Sequence, residues 1–222
     1  MQQLFSLKFG DTDGPLSMSV EGANVPPMSR SHFVHYAADL AARLLGCTLT
    51  RTLPIGQRLS GIITETEAYP GPEDLASHAA GGRRTARNES MWAQPGTAYV
   101  YFTYGMHHCL NVSCYQKDHP AAVLIRAIEP TEGIDTMRAN RAGTKPRKRP
   151  LRDRDLTNGP GKLCQALGID LALDGADLLQ SPQLSIYERV ETIEPARIRA
   201  TPRIGLGEVG AWKEKHLRFV LD

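Results

Sequence analysis

Ile62-Ile-Thr-Glu-Thr-Glu-Ala-Tyr69 is the stretch that decides the fold. It opens as a β-branched apolar run and then alternates, the pattern of a strand with a buried face. A period of two sets Ile63, Glu65, Glu67 and Tyr69 on one side, and Ile62, Thr64, Thr66 and Ala68 on the other. Carboxylates are costly to bury, so two of them at the end of a core strand need partners or a chemical task. Pro70-Gly71-Pro72 breaks the run and leaves Glu67 and Tyr69 where strand becomes loop. The plainer alternative is a solvent-facing sheet side that carries two glutamates.

Upstream, Cys47 to Leu53 also alternates, and Pro54-Ile55-Gly56 turns it into the central strand as a hairpin. Ser29 or Ser31 suits the cap of a preceding helix with apolar positions Phe33, Ala37, Leu40, Ala41 and Leu44, ended by Gly46. Residues 1–28 show little periodicity and read as an N-terminal arm, poorly ordered or laid over the surface. Residues 29–222 form the remaining domain. Downstream, Thr97-Ala-Tyr-Val-Tyr-Phe-Thr-Tyr104 is a strand with Tyr99 and Tyr101 on one face, and Phe102 and Tyr104 on the other. Gly105-Met106 forms a hairpin tip, and His107 to Cys114 returns beside it. Tyr104 and Met106 near that tip make a large apolar wedge. Ala121 to Ile128 is a buried strand interrupted by Arg126, which needs a carboxylate or an anionic ligand. A helix is expected over Pro130 to Arg141 with Thr131 as its cap, and a short one up to Leu167. Short strands are expected near Leu184–Tyr187, Arg203–Leu206 and Leu217–Leu221. The simplest architecture is one mixed α/β (α+β) domain, β-rich, with peripheral helices.

The 222 residues are 41% hydrophobic and 23% charged, which suits one substantial core. No apolar run reaches the roughly 18 residues of a membrane span and no signal peptide opens the chain, so a cytosolic or nucleoid location is expected. Cys47, Cys109, Cys114 and Cys164 lack zinc-ribbon spacing and read as free, buried thiols. The net charge of +2 is unevenly spread: Arg138 to Arg154 holds eight basic residues against Asp153. Arg83, Arg84 and Arg87 form a second cluster after Gly81-Gly82, and with Thr85 they suit phosphate oxygens. Asn158-Gly159-Pro160-Gly161 feeds a helix N-terminus, a ready phosphate site beside Lys162. The stretch from Gly81 to Asn88 lacks P-loop spacing and is not read as a nucleoside-triphosphate site.

Together these residues resemble the 3-methyladenine (alkyladenine) DNA glycosylase family, the animal-type enzymes also found in bacteria. The resemblance rests on Glu65-Thr-Glu-Ala-Tyr69, Gly71-Pro-Glu-Asp74, His78, Gly81-Gly82 and Arg87-Asn88. It continues through Pro95-Gly96, Tyr99-Val-Tyr101, Tyr104-Gly-Met106, Asn111, Leu124-Ile-Arg-Ala-Ile-Glu-Pro130, Gly159-Pro160 and Lys162-Leu-Cys-Gln-Ala-Leu167. It implies a single domain around a curved antiparallel sheet, with a protruding β-hairpin that enters the DNA minor groove. By resemblance, Glu67 is the general base that activates a water against C1′, and Arg126 helps hold that water. Tyr69, His78 and Tyr101 would stack and read the flipped base, and Asn111 would clash with the 2-amino group of guanine. Tyr104, with Met106 beside it, would fill the gap left in the duplex. Arg83, Arg84, Thr85, Arg87 and Lys162 are assigned to the DNA backbone.

The residue chemistry agrees with those roles. A base must leave the duplex before its glycosidic bond can be reached, and a wedge must replace it. Aromatic walls select a cationic alkylpurine by cation–π attraction. No lysine falls among the catalytic and base-pocket positions, which favours water over a Schiff base and hence a monofunctional glycosylase. No metal or other cofactor is expected. The expected partner is double-stranded DNA containing damaged purines, bound by a monomer, in the bacterial cytoplasm or a eukaryotic nucleus. The chain departs from the family pattern at His107-His108 and in the very basic 142–155 loop.

Three alternatives remain. A glycoside hydrolase would use Glu65 and Glu67, although the chain has only two Trp for a sugar platform. A zinc enzyme would use His107, His108, Cys109 and Cys114, although adjacent strand residues face opposite ways. A damage sensor would keep the pocket without turnover.

Overall fold

The computed structural model describes residues 25–142 and 149–222; most of the expected arm and the centre of the basic loop lie outside the described residues. The strands are β1 (Thr48–Thr52), β2 (Arg58–Tyr69), β3 (Ala98–Thr103), β4 (His107–Cys114), β5 (Ala121–Glu132), β6 (Leu184–Tyr187), β7 (Ile198–Thr201) and β8 (Arg218–Leu221). They form one open antiparallel sheet in the order β3-β4-β5-β2-β1-β6, with β8 paired to β2 and to β7. The helices are α1 (Ala37–Leu44), α2 (Ile134–Arg141), α3 (Asp153–Leu156) and α4 (Pro160–Leu167). This is the mixed α/β single domain that the alternating strands imply.

Helix α1 lies against β2 and β5, and α4 lies against β4 and β5. Leu40, Leu44, Val112, Val123, Ile125, Leu163 and Leu167 join in the main core. Each such side chain contributes about 1.5–3 kcal/mol on burial, which fixes which sheet face meets the helices. Among the described residues no helix is long and apolar enough to cross a membrane.

Several elements depart from the sequence reading. The single helix expected from Ser29 is divided. Ser29 and His32 cap a 3₁₀ turn at Arg30–Phe33, and α1 starts separately after Tyr36. The Phe33 carbonyl accepts from the Tyr115 N–H, so it is occupied outside the helix and the first turn does not propagate. The helix expected from Pro130 begins at Ile134 instead. Pro130 stays in β5 opposite Gly61, at a register shift where its missing N–H leaves less of the ladder unmade. Gly133, at φ +74°, then turns the chain into α2. The strand expected at Arg203–Leu206 is displaced to β7, and Arg203 follows Pro202 as a buried side chain.

The strict alternation of β2 fails as well. The pairing with β5 shifts between Ile63 and Glu65 and again between Glu65 and Thr66. Ile63 joins the main core instead of accompanying the carboxylates, while Glu65, Glu67 and Tyr69 keep the opposite face. A bulge re-aims side chains in this way, commonly beside functional sites.

Candidate active site

Residues distant in sequence meet because directly paired strand residues share a sheet face. Tyr99 pairs with Asn111, Asn111 with Leu124, and Leu124 with Glu67, a single row running across β3, β4, β5 and β2. In the next row Ser113 pairs with Ala122 and Ala122 with Tyr69. The loop after β2 and the 3₁₀ segment Ala86–Trp92 close over this face, with Ala79 and Met91 packed on Tyr99 and Ala122. An open recess remains, lined by Tyr69, Ser77, His78, Tyr99, Tyr101 and Asn111 with small or flexible residues between them. The small side chain of Ala122, opposite Tyr69, leaves the space.

His78 anchors the aromatic wall. Its Nδ1 lies 2.7 Å from the Tyr99 hydroxyl, a hydrogen bond whose direction depends on the tautomer. Its ring meets the Tyr101 ring edge-on at 4.5 Å. Burial, with the Arg87 and Arg83 charges, pulls the imidazole pKa down to about 4. The ring is therefore neutral at pH 7. Tyr69, Tyr99 and Tyr101 are held well above the ordinary tyrosine value, chiefly by burial, and stay protonated. Asn111 donates from Nδ2 to the Tyr99 carbonyl at 3.1 Å, which fixes the orientation of its amide.

Glu67 lies behind this wall, with its side chain 0% exposed. Its Oε1 accepts from the Ile204 N–H at 2.8 Å and meets Arg126 Nη1 at 3.2 Å. Its Oε2 accepts from the Tyr69 hydroxyl at 3.0 Å. A carboxylate offers about four lone-pair positions, so these three contacts leave one, on Oε2. Arg126 is aimed by a second carboxylate: its Nε donates to Glu65 Oε1 at 2.8 Å, and Arg218 Nη1 donates to the same oxygen at 2.8 Å. Burial pulls the Arg126 pKa down, but Glu67 and Glu65 more than offset it and the guanidinium is held above its ordinary value. Glu65 and Glu67 thus grip one arginine and do not flank a shared substrate bond, which disfavours the glycoside hydrolase reading.

The β3–β4 hairpin projects beyond the recess. Its turn residues are Tyr104 and Gly105, at φ +50° and +66°, and the Met106 N–H donates to the Thr103 carbonyl at 3.2 Å. Thr103 pairs with His107, so the loop is the three residues Tyr104, Gly105 and Met106, which include the expected Gly105-Met106 tip and add Tyr104 to it. Tyr104 is 80% exposed and Met106 69%. His107 packs on Gly161 while His108 meets the Phe102 ring at 4.9 Å, so the adjacent histidines do not converge on a metal.

The basic residues have unequal freedom. Arg84 is engaged by Glu89 and Asp118 and lies over the Trp92 ring. Thr85 forms a capping box with Asn88 at the start of the Ala86–Trp92 segment. Arg87 donates to the Phe102 carbonyl and covers the Tyr101 ring at 5.4 Å. Arg83 is exposed beside the recess, and Lys162 donates to Asn158 Oδ1 at 2.8 Å at the start of α4.

Sequence reasoning missed the C-terminal contribution. Arg203, Ile204 and Arg218 all reach the site, and Arg203 makes a fully buried ion pair with Asp74. No spacing links position 203 to 74. The single available signal was an arginine held between Pro202 and Ile204-Gly205.

Comparison with known proteins bears on the whole of this arrangement. The family model for methylpurine-DNA glycosylase matches residues 31–222. A DNA-3-methyladenine glycosylase of Mus musculus is 48% identical over 189 residues, 84% of this chain and 56% of that protein. The Homo sapiens protein of the same name is 48% identical over 188 residues, 82% of this chain and 61% of that protein. A putative 3-methyladenine DNA glycosylase of Desulfitobacterium hafniense is 44% identical over 198 residues, 88% of this chain and 95% of that protein. The chain therefore spans less than two thirds of these two mammalian relatives and nearly all of the bacterial one. The match runs from the first 3₁₀ turn to β8 and includes every residue of the recess and of the Glu67 cluster, and on that basis the chain belongs to the methylpurine-DNA glycosylase family.

Proposed function

We propose that the protein is a monofunctional DNA glycosylase that turns alkylated or deaminated purines out of duplex DNA and hydrolyses their N-glycosidic bond. The observation that carries this reading is Glu67, a shielded carboxylate with three protein contacts and one open lone pair, set directly behind an aromatic recess. That open position suits a water whose other partner is Arg126. Glu67 takes the proton as the water oxygen attacks C1′, and the base leaves with the bonding electrons. The Arg126 guanidinium steadies the carboxylate and the attacking oxygen. Tyr69 and Tyr101 supply stacking surfaces, and neutral His78 offers a polar contact without repelling a cationic base. Tyr104 takes the place of the extruded nucleotide. The exposed basic residues, Arg83 and Lys162 above all, suit backbone phosphates, and a monomer suffices for one lesion.

The test is single-turnover base release from duplexes carrying a central hypoxanthine or 7-methylguanine. Wild type should release base, with strand breaks appearing only after alkali. Glu67→Gln should bind the lesion and lose about 10²–10⁴-fold in rate. Lesion-selective binding without release by the wild type would favour a damage sensor. Release at the wild-type rate by Glu67→Gln would remove Glu67 from the chemistry.

A further inference from the structure

Behind Tyr69 lies a charged pair with no part in the reaction as derived above. Arg203 Nη2 donates to Asp74 Oδ1 at 2.8 Å and Nη1 to Asp74 Oδ2 at 2.5 Å, and neither side chain is exposed to solvent. Nη1 also donates to the Ala68 carbonyl at 3.0 Å. The guanidinium carbon sits over the Tyr69 ring, 4.6 Å from its centroid. Tyr69 lines the recess and Arg203 does not, so the ring stands between the guanidinium and the space a base would occupy.

The geometry points to Asp74 and Arg203 as specificity-determining residues that set how much positive charge the recess tolerates. The inference rests on the glycosylase reading. A cation behind an aromatic ring draws on the same π density that would attract a cation in front, and it also repels that second cation directly. Alone, Arg203 would bias the recess against alkylated purines, which carry a positive charge, and leave neutral hypoxanthine little affected. Asp74 cancels that bias with a bidentate grip that leaves the pair without net charge. The pair is sealed in the interior, where charges are screened far less than in water, so the loss of either partner is felt across the ring. Covering a ring needs only an apolar side chain, and fixing a loop needs only hydrogen bonds. A buried ion pair adds what neither gives, a neutral backing that still offers the ring a planar cation to pack on.

The test compares single-turnover rate constants for 7-methylguanine and hypoxanthine in otherwise identical duplexes, expressed as a ratio for each variant. Asp74→Asn leaves Arg203 uncompensated and should lower the ratio by about tenfold. Arg203→Met leaves Asp74 unopposed and should raise it. The double variant, with neither charge, should return the ratio to near the wild-type value. If Asp74→Asn fails to fold, Arg203→Met decides the question by moving the ratio the other way. Loss of positioning alone slows both substrates together and cannot give shifts of opposite sign. Variants that release both bases at the wild-type ratio, or that lose both equally, overturn the inference and leave the glycosylase reading standing. A wild type that releases neither base overturns both.

Discussion

At the scale of single residues the site depends on one carboxylate aiming an arginine at another. Glu65 does not line the recess, yet it accepts from both Arg126 and Arg218. Glu65→Gln should keep the fold and the lesion affinity while slowing base release about tenfold. Single-turnover rates beside binding isotherms check this, and equal loss in both would make Glu65 merely structural. His78 carries a second expectation. Its pKa falls from the usual 6.5 to about 4 in the folded protein, so between those values the unfolded chain binds the proton and the native state does not. Stability should thus be full above pH 6.5 and decline as the pH drops towards 4. Urea midpoints across that range should fall more steeply for wild type than for His78→Asn. These residues were partly legible in sequence, because carboxylates, an arginine and tyrosines are poor fillers for buried strands. Their partners were not: the hydrogen bond from Ile204 is a backbone contact, and no side-chain type encodes it.

At the scale of elements the hairpin and the central strand both break local rules. Strands β3 and β4 were readable from alternation and so was the Gly105-Met106 tip, but Tyr104 belongs to the turn and not to the strand, a place missed because a tyrosine was not expected at positive φ. An L-residue there costs about 1–2 kcal/mol, and exposed Tyr104 recovers none of it by packing. Tyr104→Asn should stabilise the free protein by about 1 kcal/mol, seen as a higher denaturation midpoint, and weaken capture of lesion duplexes. Unchanged capture would remove Tyr104 from the wedge role. The bulge in β2 was illegible for a different reason. Register depends on where β5 pairs, and periodicity within one strand is blind to its neighbour.

At the scale of the whole molecule the sheet separates two tasks. The helices and the apolar core hold one face, and the other keeps its polar residues for the recess. A basic rim over an ionic site predicts strong salt dependence of duplex binding: affinity should fall steeply between about 50 and 200 mM NaCl. Lys162→Ala should lower the slope of log affinity against log salt by about one and weaken lesion and intact duplexes alike. An unchanged slope would take Lys162 off the phosphate path. The fold class was legible because two long strands and a hairpin declare themselves by alternation, whereas closure of the site by distant residues was not. Glu67 and the Ile204 N–H that grips it are 137 positions apart. A chain leaves the ribosome at about 5–20 residues per second, so Glu67 emerges roughly 7 to 27 seconds before this partner. A half-made chain therefore carries the carboxylate without its clamp, and the polar contacts around Glu65 and Glu67 are complete only once Ile204 has been made and the strand that carries Arg218 has paired.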